Sequence, residues 1–195
     1  GGLMNLYAQE KTNRMFMGFE VPTAWFQGAG AGFIILLAVP IANFWAKRKL
    51  KGKEASSLFK MGIGIVIMGI GFVYMVFATM EYEANGSSAM YWLVLAYLFH
   101  TIGELCLSPV SLSFFTKLAP QRYMALMMGV YWAATGLGNK LAGVIGESSV
   151  KAGEFNVFGG LFVFAVLFGL TVVLLLKPLK RLTHGAEDKE TKIAH

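Results

Sequence analysis

The chain has 195 residues, 56% of them hydrophobic and only 14% charged, with a mean hydropathy of +0.58. A soluble domain of this length has a core to bury, but not several continuous apolar runs of roughly 20 residues, the length that crosses about 30 Å of hydrocarbon as a helix; a transmembrane β-barrel is excluded too, because its strands alternate apolar and polar residues. The net charge of +6 lies in short loops and the tail, beside the apolar runs, and so marks membrane orientation rather than nucleic-acid binding.

In chain order, residues 1–7 carry no charged region of a signal peptide. They read as the end of a preceding helix, and the chain is taken as a fragment. A polar stretch over residues 9–14 leads to the first full span, residues 22–45, which contains Gly28, Gly30, Gly32 and Pro40. Gly28 and Gly32 form a small-xxx-small pair, the pattern that lets helix backbones approach closely, so helix packing is expected there. No strand precedes these glycines and no Lys-Ser/Thr follows, which excludes a phosphate-binding loop.

Lys47, Arg48, Lys49, Lys51 and Lys53 follow, a cluster that stays on the cytoplasmic side. The second span, residues 58–79, is charge-free after Lys60. Its following loop, residues 81–88, has no Lys or Arg and is assigned outside. The third span covers residues 91–115, with Lys117 and Arg122 returning the chain inside. The fourth, residues 124–144, includes Asn139 and Lys140, and an outer loop with Glu147, Lys151 and Glu154 comes next. The last span, residues 158–176, is nearly pure Phe, Leu and Val with a few Gly, and Lys177, Lys180 and Arg181 place the C-terminus inside. The expected fold class is therefore an all-α membrane protein with five complete spans. Residues 1–182 form one transmembrane bundle and residues 183–195 a flexible cytoplasmic tail; the N-terminus lies outside.

Glu104 stands in the middle of the third span. A carboxylate at that depth costs a few kcal/mol or more unless it faces protein or a water-filled cavity, so by default it marks function. Tyr97, His100, Ser108 and Ser111 lie at offsets of −7, −4, +4 and +7 from it, on one helical face, whereas Leu95, Leu98, Ile102, Leu105 and Val110 point mostly elsewhere. An unpaired polar group in an apolar environment costs roughly 2–7 kcal/mol, so this stripe requires partners or water, which a cavity between helices provides. Pro109 removes one backbone donor beside it and loosens the helix, a candidate gate.

Three plainer readings stand beside the functional one. Glu104 pairs with Lys140 in a structural ion pair, unless that lysine snorkels to the interface; His100 is a packed structural histidine rather than a proton partner of Glu104; and Ser108 and Ser111 bond back to their own helix. Cys106, alone in the chain, offers neither a disulfide framework nor metal-ligand spacing. His-Glu-x-x-His, Gly-x-Ser-x-Gly and an Asp pair are all lacking, which argues against an intramembrane enzyme.

The run Gly103-Glu104-Leu105-Cys106-Leu107-Ser108-Pro109-Val110-Ser111-Leu112, with Thr116-Lys117-Leu118-Ala119-Pro120 after it, resembles the tenth transmembrane helix of the proton-coupled oligopeptide transporters of the major facilitator superfamily. Val21-Pro22-Thr23-Ala24-Trp25-Phe26-Gln27 resembles their eighth helix, Met127 to Trp132 and Gly138 to Gly143 their eleventh, and Gly2 to Leu6 the end of their seventh. The resemblance implies the C-terminal six-helix bundle of a symporter for di- and tripeptides that uses protons as coupling ion and no other cofactor. It implies that Glu104 holds the peptide amino terminus with Ser108 beside it, and that Tyr131 or Trp132 shapes a side-chain pocket. Family members commonly carry an Asn that binds peptide backbone where this chain has Gly30; Gln27 is the expected substitute. The Glu-x-x-Glu-Arg/Lys motif of the N-terminal bundle has no counterpart here. Two other readings remain: a transporter of another small solute within the superfamily, and a membrane scaffold subunit that does not transport.

Overall fold

The computed structural model describes residues 2–53 and 55–182; the expected tail, residues 183–195, lies outside the described residues. The chain opens with α1 (Gly2–Glu10), followed by three two-residue strands, β1 (Thr12–Asn13), β2 (Met15–Phe16) and β3 (Phe19–Glu20). Helices α2 (Thr23–Leu50), α3 (Ser57–Asn85), α4 (Met90–Leu118), α5 (Met124–Ala152) and α6 (Glu154–Leu174) follow, with β4 (Ser88–Ala89) before α4, a 3-10 turn (Gln121–Tyr123) before α5, and α7 (Leu176–Leu182) at the end.

All five expected spans are helical, and each differs from expectation at its ends. Among the described residues, α2, α3, α4 and α6 are long and apolar enough to cross a membrane. Helix α5 is as long as α3 and α4 but falls outside that group; Lys140, Glu147 and Lys151 punctuate it. The segment assigned to an outer loop after residue 80 is still helix to Asn85, where Gly86, at φ 72°, ends it in the left-handed conformation that glycine adopts without strain. Ser56 starts the same helix by accepting the Phe59 N–H at 3.3 Å. The last span ends at Leu174, and α7 is a separate short helix.

The expectation of a purely α-helical chain is corrected by two small sheets. β1 pairs parallel with β4, joining Thr12 to Ser88 and Asn13 to Ala89. β2 and β3 form a hairpin whose two-residue turn, Met17 and Gly18, has positive φ at both positions (50° and 83°), the twist that suits a tight hairpin. Two-residue strands lie below the length at which alternation is visible in sequence.

Helix α3 is the centre of the bundle, and its glycines explain why. Gly64 and Gly71, seven apart, face α4; Gly62 and Gly69, also seven apart, face α6 on the opposite side. A Cβ on Gly64 would stand 2.8 Å from the Gly103 carbonyl oxygen, and one on Gly62 would stand 2.9 Å from the Val173 side chain. Lipid provides no hydrophobic drive for helices to associate, so such backbone approach, with its dispersion contacts, holds the bundle together. The helix packing expected at the Gly28 and Gly32 pair is not met among the described residues. Neither has any described atom within 4 Å of an added Cβ, because α2 runs against α4 through other residues.

At the end of the bundle away from the basic loop, several polar contacts tie the elements together. Lys11 pairs with Glu154 at 2.9 Å and lies over the Tyr82 ring. Glu81 accepts hydrogen bonds from the Trp92 indole and the Ala89 N–H. Thr12 and Ser88 hydroxyls meet at 3.3 Å beside their strand pair. Beneath this layer, Tyr7 packs edge-on against Phe158 in a core with Met4, Met75, Leu93 and Ala96.

Candidate functional site

A cavity of about 1230 Å³ opens between α1, α2, α4, α5 and α6, with Met68 and Phe72 of α3 also in its wall. Its walls are mainly apolar, and few polar groups reach it: Tyr97, His100, Thr101 and Glu104 from α4, Asn139 and Glu147 from α5. Two carboxylates and no Lys or Arg stand among the described lining residues. The arrangement favours a cation or the ammonium end of a zwitterion.

Glu104 is exposed to this space and makes no ion pair among the described residues. The Lys140 pairing considered from sequence is therefore absent there. The next residue back, Gly103, presses its backbone against Gly64 of α3, which sets the depth and rotation at which the carboxylate projects. Tyr97 donates from its hydroxyl to Asn5 Oδ1 at 3.4 Å, linking α4 to α1, and Thr101 bonds back to the Tyr97 carbonyl at 2.8 Å. His100 is wedged edge-on against Phe72 at 4.6 Å and touches the helix at Gly71. Its Nε2 is buried without a hydrogen-bond partner among the described residues, so no bond to Glu104 is formed through that atom.

The polar stripe divides into two clusters. Tyr97, His100 and Glu104 line the cavity; Ser108 and Ser111 lie one and two turns further along α4, outside its described lining. The Ser111 hydroxyl bonds back to the Ser108 carbonyl at 2.9 Å and also meets the Tyr131 hydroxyl at 3.1 Å. The back-bonding reading and the reading of an inter-helix contact thus both describe Ser111. Tyr131 leans on Phe115. Its neighbour Trp132 packs edge-on against Tyr131 and is 62% exposed, so Tyr131 is the aromatic that reaches the stripe. The side chain of Gln27 lies outside the described residues. Gly30 does line the cavity, and a Cβ there would meet only Tyr97 Cδ1 at an ordinary 3.8 Å.

Sequence reasoning missed three contributors. Asn5 lies in the short stretch before the first span and nothing local marks it, and Glu147 falls beyond the fourth span when that span ends at residue 144. Asn139 lies within the span, with no feature there that ties it to the site. Asn139, Gly143, Gly146 and Glu147 recur at helical spacing, and that continued period was the available signal.

The POT family signature matches residues 1–160. The chain belongs to the POT family. Among relatives, the peptide transporter YePEPT of Yersinia enterocolitica is 39% identical over 193 residues, covering 96% of this chain and 38% of its own length. A di-/tripeptide transporter of Lactococcus lactis is 27% identical, covering 84% of this chain and 33% of its own length. The crystal structure of a peptide transporter POT in complex with sulfate superposes with a TM-score of 0.84 at 28% identity, over 92% of this chain and 36% of that one. This POT family chain is a multi-pass, mostly helical membrane protein that spans little more than a third of the length of these relatives.

Proposed function

We propose that this chain is the C-terminal transmembrane bundle, from the end of helix seven through helix twelve, of a proton-coupled symporter of di- and tripeptides that works by alternating access. The missing N-terminal bundle completes the cavity and contributes its own proton-coupling groups, and the two halves rock about the site between them. All five long helices cross the cytoplasmic membrane, with α1 at the outer side, α2 entering from there and the C-terminus on the cytoplasmic side. The basic residues after α2, around the turn between α4 and α5, and after α6 support that orientation.

The observation that carries the reading is Glu104: a carboxylate in a spanning helix, open to a 1230 Å³ cavity that has no lysine or arginine in its described lining. It holds the peptide ammonium, and a proton competes with that ammonium for it. Ser108, Tyr131, Trp132 and Gln27 belong to the substrate-binding set, and His100, one turn from Glu104, is the second proton-linked group. The relatives whose names specify peptides support the substrate class.

The test is Glu104→Gln in the intact transporter, assayed for pH-driven dipeptide accumulation in proteoliposomes. A charge-assisted hydrogen bond is worth about 1.5–3 kcal/mol, so the apparent affinity should fall by roughly 10- to 100-fold and accumulation should cease, with normal expression. Unchanged uptake would remove Glu104 from the site.

A further inference from the structure

A second cavity, of about 450 Å³, lies on another side of the bundle between α2, α3 and α4. Its wall is apolar, with Ile41 from α2, Ile63 and Ile67 from α3, and Ile102 from α4. Pro40 also lines it; inside α2 it cannot donate to the carbonyl one turn back, and the helix is loosened beside the cleft. Nothing in the transport reading uses this space.

The mouth of the cleft is cationic. Arg48 lines it, with its guanidinium over the Phe44 ring, and Lys60 Nζ lies 5.4 Å from the centroid of the Trp45 ring, itself part of the lining. These two belong to a segment, residues 47–60, with six Lys or Arg against the single acid Glu54. Deeper in, the Trp45 indole nitrogen is buried and makes no hydrogen bond of acceptable geometry among the described residues. The Cys106 thiol beside it is only a weak acceptor.

We propose that this cleft is a binding site for an anionic phospholipid of the leaflet on the basic side of the bundle. The chemistry is matched layer by layer. One acyl chain fills the isoleucine-lined wall against the Trp45 ring, and the phosphate lies between Arg48 and Lys60. Basic pockets between spanning helices on that side of a membrane recognise such head groups, and each nearby cation adds attraction to an anionic leaflet. A free phosphate would satisfy the cations but leave the apolar wall unmatched. The proposal does not depend on which solute the transporter carries.

The intact transporter in detergent is titrated with phosphatidylglycerol brominated on its acyl chains and, separately, with equally brominated phosphatidylcholine, following tryptophan fluorescence. Trp45→Phe isolates the share due to Trp45. The expected result is quenching of that share by phosphatidylglycerol at concentrations at least tenfold lower than by phosphatidylcholine. Arg48→Gln with Lys60→Gln should abolish the preference, and Arg48→Lys with native Lys60 should retain most of it. Equal quenching by the two lipids, or a preference that survives the double glutamine variant, would overturn the proposal. So would displacement of the lipid by inorganic phosphate at equal concentration, which would indicate a plain anion site. Absence of quenching by either lipid would show the cleft filled by protein, with the same consequence.

Discussion

Replacing Gly103 with alanine tests whether helix packing positions the cavity carboxylate. The added Cβ would lie 2.6 Å from the Gly64 carbonyl oxygen and 2.9 Å from the Met68 backbone nitrogen. Ordinary contact begins at 3.4 Å, so α3 and α4 must separate by close to 1 Å. Both opposing atoms are backbone and cannot rotate away. Helix α3 has no room to retreat, because a Cβ on Gly169 of α6 would already stand 2.8 Å from the Gly62 oxygen on its other side. Helix α4 therefore moves and carries Glu104, the adjacent residue, with it. Overpacking of this kind costs about 1–3 kcal/mol, of which the better helix propensity of alanine returns at most about 1 kcal/mol. Net destabilisation of up to about 2 kcal/mol is expected as a lower thermal midpoint of the intact transporter, accompanied by a rise in KM for dipeptide. Gly160→Ala, where an added Cβ meets nothing described within 4 Å, is the control and should neither lower the midpoint nor raise KM. A Gly103→Ala protein with unchanged midpoint and unchanged KM would refute the claim that this contact positions Glu104.

Two further outcomes follow from the geometry. Gly30→Asn has space in the cavity wall beside Tyr97; it should leave the thermal midpoint unchanged and lower the KM for dipeptide several-fold, the worth of one added hydrogen bond at about 0.5–1.5 kcal/mol, and a raised KM would show that the glycine is required. The Lys11–Glu154 pair is partly exposed, with side chains 29% and 14% accessible, so a double-mutant cycle with Lys11→Met and Glu154→Gln should return a coupling of only about 1 kcal/mol in thermal stability; additive effects would mean that the ion pair contributes nothing and that the other contacts hold that end of the bundle.

Much of the architecture was legible because the bilayer imposes a local rule. Every backbone group in hydrocarbon must bond within its own helix, so each spanning helix announces itself as an apolar run, and an acid within one is conspicuous. The same rule made Glu104 the anchor, and helical spacing alone put Tyr97 and His100 on its face. It could not separate those residues from Ser111, which turns to Tyr131 of α5 instead. That distinction depends on where α5 lies.

What the amino-acid order determined by itself was the set of helices, the basic ends that support an orientation, and one polar face on α4, since all three follow from periodicity and charge along a single element. Which glycines are packing surfaces was decided only by assembly: Gly62, Gly64, Gly69, Gly71, Gly103 and Gly169 meet neighbouring helices, whereas Gly28 and Gly32 meet none described. Identical residues at similar spacing differ because the contact belongs to two helices at once, and its partner lies at least 25 residues away. The pairing of Thr12–Asn13 with Ser88–Ala89, the reach of Asn5 to Tyr97 and the presence of Glu147 in the cavity wall have the same origin. Each joins segments whose proximity no local pattern encodes, and each exists only once the helices have assembled.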